Sequence, residues 1–221
     1  FLASKSSRKI GFALTLLWAE IFGFLVALIY FLLHLQESNF NDIPKFLLLL
    51  FVLGLFYTIG SLAFYKGLRE GQVSLVSPIG ASFVLITVIL SVFFFKEVLK
   101  INQLIGIILI IFGIPLLSVN IEEFRKIKNL SFLPGVKEGL IAMFGWGISL
   151  FLIIPVVRGL GWFLPTFIFR FFSIPIVLSY IFIRKQSLKL NFQLPIFVLL
   201  AVIGFLNTGA SLAYNLGVSK E

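Results

Sequence analysis

The sequence contains no cysteine, one histidine and one aspartate. The lack of cysteine excludes disulfides, thiolate metal sites and cysteine nucleophiles. His34 cannot build a metal cluster alone. A hydrolase would have no Ser/His/Asp set, because the single aspartate, Asp42, lies between two apolar segments. We therefore expect no enzyme activity, no metal site and no cofactor.

Charged residues are also scarce, at 12% of the chain, whereas a soluble domain carries about 25%. Hydrophobic residues make up 60% and form long runs. So few charges cannot solvate the surface of a globule of this size, and the expected solvent is a lipid bilayer. The net charge of +9 does not indicate nucleic-acid binding, because the basic residues lie in short clusters between apolar runs, as they do in loops at a lipid headgroup surface.

The apolar runs predict seven transmembrane helices, each long enough to cross about 30 Å of hydrocarbon. The predicted spans are Ile10–Leu33, Phe46–Tyr65, Val73–Phe95, Ile101–Val119, Gly135–Val157, Phe163–Ile183 and Leu194–Leu216. The predicted fold class is all-α, a polytopic integral membrane protein. A longer polar stretch, residues 120–134, is the plausible boundary between two halves.

An internal repeat becomes visible when the chain is shifted by 150 residues without a gap. The stretch "SLAFYKG" at 61–67 then meets "SLAYNLG" at 211–217. The identities are not confined to leucine and phenylalanine, which match often by chance in membrane helices. They include Arg8/Arg158, Gly11/Gly161, Tyr30/Tyr180, Gly54/Gly204, Thr58/Thr208 and Ser61/Ser211. A run of glycine, threonine and serine at one register indicates duplication.

A repeat unit of this length predicts one further helix before residue 1 and two after residue 221, which gives ten helices in two units of five. The expected division is a first repeat at 1–119 without its first helix, a loop at 120–134, and a second repeat at 135–221 without its last two helices. Two successive units with an odd number of helices enter the membrane in opposite orientations. Inverted repeats are typical of secondary transporters, which bind substrate near the membrane midplane at the repeat interface.

Several motifs then carry a family resemblance. "VSP" at 76–78, "FFKEVL" at 94–99 and "QLIGIILIIFG" at 103–113 follow one another, and "LPTFIFRFF" at 164–172 brings an arginine into the second helix of a unit. In order and spacing these motifs resemble the EamA-type transporters of the drug/metabolite transporter superfamily. The resemblance implies a ten-helix transporter of small organic solutes, here truncated at both ends. The sequence departs from the family pattern at Glu20, which stands where an arginine equivalent to Arg170 is expected.

Two ionisable residues lie well inside predicted spans, where charge is costly and is by default a functional hypothesis. Glu20 and Arg170 occupy equivalent repeat positions with opposite sign. One interpretation is a substrate or proton site, with Glu20 as a titrating carboxylate and Arg170 as an anion anchor. The other is that each side chain pairs structurally or reaches a membrane face near a helix end.

A second set of candidates is polar and follows two helices at roughly helical spacing. It comprises Tyr57, Thr58, Ser61 and Tyr65 with their equivalents Asn207, Thr208, Ser211 and Asn215, to which Trp146 is added. Residues three or four apart share a helix face, so two such faces could line a central cavity. The alternative is helix–helix hydrogen bonding. The phenylalanine-rich faces are expected to contact lipid.

The predicted function is a secondary transporter that moves an amino acid, a metabolite or a drug-like compound. The predicted partners are that solute, the lipid bilayer and a coupling proton, and the expected location is the cell membrane. The alternative function is a lipid-linked carrier flippase or a non-transporting membrane partner on the same scaffold.

Overall fold

The computed structural model describes residues 2–33, 40–96, 98–118, 134–188 and 193–220, with the side chains of 112 and 114–118 left out. Within these ranges the chain is all-helical. The helices are α1 (Leu2–Ile10), α2 (Phe12–Leu33), α3 (Ile43–Glu70), α4 (Val73–Ala81), α5 (Phe83–Phe95), α6 (Ile101–Ser118), α7 (Val136–Leu160), α8 (Leu164–Ile183) and α9 (Leu194–Val218). Residues 120–133 of the predicted inter-repeat loop lie outside the described residues, and the division into two repeats stays a prediction.

In the part of the chain that the structure describes, six segments are long and apolar enough to span a membrane. They are α2, α3, the α4–α5 pair taken together, α7, α8 and α9. This confirms the predicted class, a polytopic integral membrane protein. The span predicted at Ile101–Val119 forms α6, whose continuous run of described side chains covers Ile101–Ile111. The count of seven therefore stays a prediction.

Helix α3 is longer than the predicted Phe46–Tyr65, and two other predicted spans contain a break that the sequence did not predict. Gly11 adopts a left-handed conformation with φ of 93° and separates α1 from α2, so the span expected to begin at Ile10 begins at Phe12 instead. Gly161, its equivalent in the repeat, ends α7 with φ of 80°. Such a conformation suits glycine because it has no Cβ. The span expected at Val73–Phe95 is interrupted at Ser82, four residues after Pro78 within α4.

Glycines let the helices approach one another closely. A Cβ added to Gly145 on α7 would lie 2.8 Å from the Cα of Gly60 on α3, so these two backbones touch. Small residues serve this purpose in membrane proteins, where apolar burial alone does not drive helices together. The outward side chains are large and apolar, and Leu48, Phe93 and Ile183 are 75–77% exposed. The described helices thus pack through small residues and present apolar surface to lipid.

Contacts between the two halves recur in reciprocal form when the chain is shifted by 150. The ring of Tyr30 contacts that of Trp162 at a centroid distance of 5.5 Å, and the ring of Phe12 contacts that of Tyr180 at 6.0 Å. Trp162 is the equivalent of Phe12, and Tyr180 is the equivalent of Tyr30. Phe12 thus contacts the equivalent of Tyr30, while Tyr30 contacts the equivalent of Phe12.

The close approaches of two equivalent glycines follow the same rule. A Cβ added to Gly54 on α3 would lie 3.3 Å from the carbonyl oxygen of Phe169 on α8. A Cβ added to Gly204 on α9 would lie 2.6 Å from the carbonyl oxygen of Ala19 on α2. A larger residue would not fit at either position, because the backbone of a neighbouring helix occupies the space of its Cβ.

Candidate functional site

A cavity of about 480 Å³ lies between α3, α5, α7 and α9, with Ala3 of α1 at its edge. Six of the predicted site residues line it, namely Tyr57, Ser61, Tyr65, Trp146, Asn207 and Ser211. Tyr57 and Asn207 lie at the middle of α3 and α9, so the cavity reaches the mid-depth of the helix bundle. A volume of this size suits a small organic ligand.

The cavity wall is aromatic and carries no charge among the described residues that line it. Trp146 contacts Phe64 at a centroid distance of 4.7 Å and Phe83 at 5.9 Å. The Trp146 indole Nε1 donates a hydrogen bond of 3.0 Å to Ser61 Oγ, which fixes the ring across the α3–α7 contact. The Ser211 hydroxyl donates to the carbonyl oxygen of Asn207 at 3.0 Å. The wall therefore offers π faces and a small number of uncharged hydrogen-bonding groups.

The other three predicted residues do not line this cavity: Thr58 and Asn215 join helices, and Thr208 bonds within its own helix. The hydroxyls of Thr58 on α3 and Ser173 on α8 are 2.9 Å apart. Thr208 donates to the carbonyl oxygen of Gly204 within α9 at 2.8 Å. Asn215 Nδ2 donates to the carbonyl oxygen of Trp162 at 2.9 Å and to the hydroxyl of Thr166 at 2.8 Å. All three predicted residues are fully or almost fully buried, and the bonds of Thr58 and Asn215 are of the kind that holds membrane helices together.

Next to the cavity, Glu20 and Arg170 form an ion pair. Glu20 Oε2 lies 2.7 Å from Arg170 Nη1, and both side chains are completely buried. The Tyr57 hydroxyl donates to Glu20 Oε1 at 2.9 Å and accepts a bond of 2.9 Å from Asn207 Nδ2. Of the cavity residues, Tyr57 therefore bonds directly to the ion pair, and Asn207 is linked to it through Tyr57. The pair as a whole is neutral, which satisfies the requirement that buried charges be compensated.

The guanidinium of Arg170 occupies space that a missing side chain leaves free. A Cβ added to Gly23, one turn after Glu20, would lie 2.8 Å from Arg170 Nη1 and 2.6 Å from Thr208 Oγ1. The equivalent of Gly23 in the second half is Ser173. Among the described residues, Arg170 Nε and Nη2 have no hydrogen-bond partner, and the guanidinium carbon lies 5.6 Å from the centroid of the Phe169 ring.

The sequence patterns missed Gly23 and three aromatic residues of the cavity wall, Phe64, Phe83 and Tyr214. The expectation for phenylalanine was general, lipid contact by phenylalanine-rich faces, because 28 phenylalanines leave no pattern that separates an inward ring from an outward one. Gly23 did carry a signal. It is a small residue one turn from an intramembrane charge, and its repeat equivalent is not a glycine.

Two further hollows lie nearby. A groove of about 500 Å³ on the outer side of the α3–α7 contact is lined mainly by apolar side chains such as Phe56, Ile59 and Leu140. A second cavity of about 520 Å³, between α5, α6, α7 and α9, shares the wall formed by Phe83 and Tyr214 with the first. The 480 Å³ cavity, named the central cavity below, is the candidate site because six of the nine predicted residues line it at the mid-depth of the bundle.

Comparison with known proteins relates the chain to a transporter family and to a protein of similar sequence. A model of the EamA-like transporter family matches residues 1–119. An uncharacterized protein of Methanocaldococcus jannaschii is 40% identical over 101 residues, which are 46% of this chain and 72% of that protein. No solved structure matches the chain.

Proposed function

Because the chain belongs to the EamA-like transporter family, we propose that it is a secondary transporter that moves a small organic solute by alternating access between two inverted repeats. The family consists of membrane transporters of the drug/metabolite transporter superfamily. The observation that supports a solute-carrying role in this chain is the central cavity, where residues on α3, α7 and α9 meet at the mid-depth of the bundle. We place the protein in the cell membrane.

The wall of the central cavity favours a solute that is uncharged or zwitterionic and carries a ring. Six of its lining residues are aromatic: Tyr57, Phe64, Tyr65, Phe83, Trp146 and Tyr214. Stacking against such rings contributes binding energy beyond simple burial. A solute with a net charge would have to leave water without a charged partner on the described wall, which is costly. Aromatic amino acids and nucleosides have the required chemistry.

The reciprocal contacts support the inverted-repeat part of this proposal. Phe12 meets the equivalent of Tyr30, and Tyr30 meets the equivalent of Phe12. Such pairs of contacts are typical of an isologous, two-fold interface. Equivalent glycines also take the same left-handed conformation, at Gly11 and Gly161. In inverted-repeat transporters the substrate site lies at the repeat interface, and a cavity between α3 and α9, one helix from each proposed repeat, agrees with that position.

Solute uptake by the full-length protein tests this function. Purified protein is first screened by thermal shift, because a bound solute raises apparent stability by RT ln(1 + [L]/Kd). Uptake is then measured in proteoliposomes with radiolabelled L-phenylalanine, which is zwitterionic, and uridine, which is uncharged. We expect one of these classes to stabilise the protein and to be transported. Failure of every screened solute to do either would contradict the proposal.

A matched pair of variants in α9 locates the site. Ser211→Phe places a ring in the central cavity, whereas Leu206→Phe changes a lipid-facing residue that is 56% exposed. We expect Ser211→Phe to reduce uptake roughly tenfold or more, the effect of losing about 1.4 kcal/mol of binding. Leu206→Phe should leave it unchanged. Equal uptake by the two variants would place the solute elsewhere.

A lipid-linked carrier flippase is the second candidate function, and the outer α3–α7 groove is the observation that favours it. The groove is apolar, opens to the lipid side and has Lys137, in the first turn of α7, at its wall. An acyl or polyprenyl chain could lie along it with an anionic headgroup at the lysine. Flipping of a fluorescent polyprenyl phosphate in proteoliposomes, without uptake of any solute, would favour this function over the first.

A further inference from the structure

Two hydrogen-bonded contacts in the interior join residues that are 150 positions apart. They are the ion pair between Glu20 and Arg170 and the bond from Asn207 to Tyr57. Each reciprocal contact described above has a second copy made by the equivalent residues. The two contacts here join a residue to its own equivalent, so each one is the same contact after the shift. A residue can touch its own equivalent only where two related units meet at their local two-fold axis, as at the centre of an isologous interface.

We propose that these two contacts form a fixed pivot, which stays closed while the central cavity opens to either side, so that the Glu20–Arg170 pair neither binds the solute nor carries a proton. This inference rests on the proposed function, because it assumes that the second state arises when the two repeats exchange conformations. When the repeats exchange conformations, a contact between one residue and the equivalent of a second residue is replaced. The new contact joins the second residue to the equivalent of the first. A self-reciprocal contact is unchanged by that operation, however large the movement elsewhere.

The chemistry of the ion pair agrees with a contact that never opens. Glu20 and Arg170 are completely buried and their charged atoms are 2.7 Å apart. Separating them in a low-dielectric interior would leave two uncompensated charges, which is far more costly than opening a neutral, small-residue contact. A transport cycle that kept the pair closed would avoid this barrier at every turnover.

The pivot also explains why two equivalent positions near the axis carry different residues. Arg170 is longer than Glu20, and its guanidinium extends over Gly23, where a Cβ would lie 2.8 Å from Nη1. The equivalent space beside residue 173 receives no arginine, because residue 20 is a glutamate. A serine is therefore accommodated there, and the hydroxyl of Ser173 bonds to that of Thr58 at 2.9 Å. We assign Gly23 as the positioning residue that sets which side of the axis the arginine occupies.

Exchange of equivalent residues tests this assignment without a solute. Glu20→Arg combined with Arg170→Glu restores opposite charges but directs the new arginine at Ser173. Adding Gly23→Ser and Ser173→Gly moves the free space to the side where the arginine now lies. Thermal unfolding of the detergent-solubilised full-length protein is measured for both variants. We expect the charge exchange alone to lower Tm by roughly 10 °C, and the fourfold exchange to recover most of that loss.

The fourfold exchange makes the test specific for the axis. A buried ion pair unrelated to a two-fold axis gives no reason for the Gly23/Ser173 exchange to help, because the surroundings of the two positions would differ. Equal Tm values for the charge exchange with and without the Gly23/Ser173 exchange would therefore overturn the axis assignment.

Thiol labelling in native membranes tests whether the pivot stays closed, using a substitution that perturbs the fold little. Ser173→Cys places a thiol beside the pivot, and Ser211→Cys places one in the central cavity as the matched control. A membrane-impermeant maleimide is applied from each side of the membrane. We expect the Ser211→Cys variant to be labelled and the Ser173→Cys variant to react at least tenfold more slowly from both sides. Labelling of the two variants at the same rate would overturn the pivot, whereas absence of uptake by the wild-type protein would count only against the proposed function.

Discussion

Replacement of Arg170 by methionine measures how strongly the interior depends on charge balance. Methionine retains a long apolar side chain beside Phe169 but removes the cation that faces Glu20 at 2.7 Å. The carboxyl group then keeps the bond from Tyr57 as its described partner, at 2.9 Å, and cannot reach water because it is completely buried. The variant thus leaves one charge uncompensated in the centre of the bundle.

The expected loss of stability follows from the burial of both partners. Removal of one member of a buried ion pair costs about 3–5 kcal/mol, whereas replacement of both by apolar residues is close to neutral. For a chain of about this size, 1 kcal/mol shifts Tm by about 2–4 °C, so Arg170→Met should lower Tm by roughly 6–20 °C. The double variant Glu20→Met/Arg170→Met should lie within a few degrees of the wild-type protein.

Tryptophan fluorescence during thermal unfolding in detergent provides the assay, since the chain has three tryptophans. Arg8→Met serves as the control, because Arg8 is exposed and its bond to the carbonyl oxygen of Gly71 is long, at 3.4 Å. We expect this control to shift Tm by no more than about 2 °C. If the double variant were as unstable as Arg170→Met, the loss would come from packing and not from charge, and the reasoning above would be refuted.

Three other substitutions probe separate parts of the structure. Gly145→Ala should reduce thermal stability by about 1–3 kcal/mol, because the new Cβ would lie 2.8 Å from the Cα of Gly60 on the neighbouring helix; an unchanged unfolding curve would contradict the close α3–α7 contact. Asn215→Leu should cost about 1 kcal/mol in the same measurement, because the hydroxyl of Thr166 loses its bond of 2.8 Å, and solute uptake should persist. Glu20→Gln, assayed as uptake between pH 5 and 8, should leave the shape of the pH profile unchanged if the ion pair is a pivot, and should abolish or shift it if Glu20 couples protons.

The lengths of the apolar runs were sufficient to predict the membrane fold and six of its spans. The positions of the breaks were harder to predict. Gly11 lies inside an apolar-to-polar transition, where a continuous helix and a helix end look alike in hydropathy, and its left-handed backbone separates α1 from α2. The break at Ser82 follows Pro78, whose ring disturbs the helix interior, but proline in a membrane helix is often accommodated without a break.

The repeat register predicted more of the candidate site than any single motif. It set Glu20 opposite Arg170 as equivalent positions of opposite sign, and the structure joins them at 2.7 Å. The sequence could not indicate that these equivalents touch one another, because a repeat specifies correspondence and not distance. Contact between equivalents depends on how the helices of the two halves pack, which is a property of the folded bundle. The role of Gly23 follows only once the guanidinium has been placed.

Helical spacing also predicted the cavity residues only in part, for a geometric reason. Tyr57, Ser61 and Tyr65 are four residues apart, share one face of α3 and all line the central cavity. Thr58 is one residue further along and is therefore turned by about 100°, which directs it at Ser173 instead. A polar residue beside a cavity face is in this case a helix contact. Hydropathy cannot separate the two directions, since both are buried and polar.

The difference between the equivalents Tyr65 and Asn215 can now be interpreted in terms of specificity. Tyr65 faces the central cavity, whereas Asn215 points away from it and bonds to Trp162 and Thr166. An asymmetric pair on opposite sides of one cavity would have let both residues select the solute. Because only the α3 member reaches the wall, we infer that this pair influences solute preference through Tyr65 alone. Asn215 then acts on helix packing, so the two equivalent positions differ in what their side chains contact.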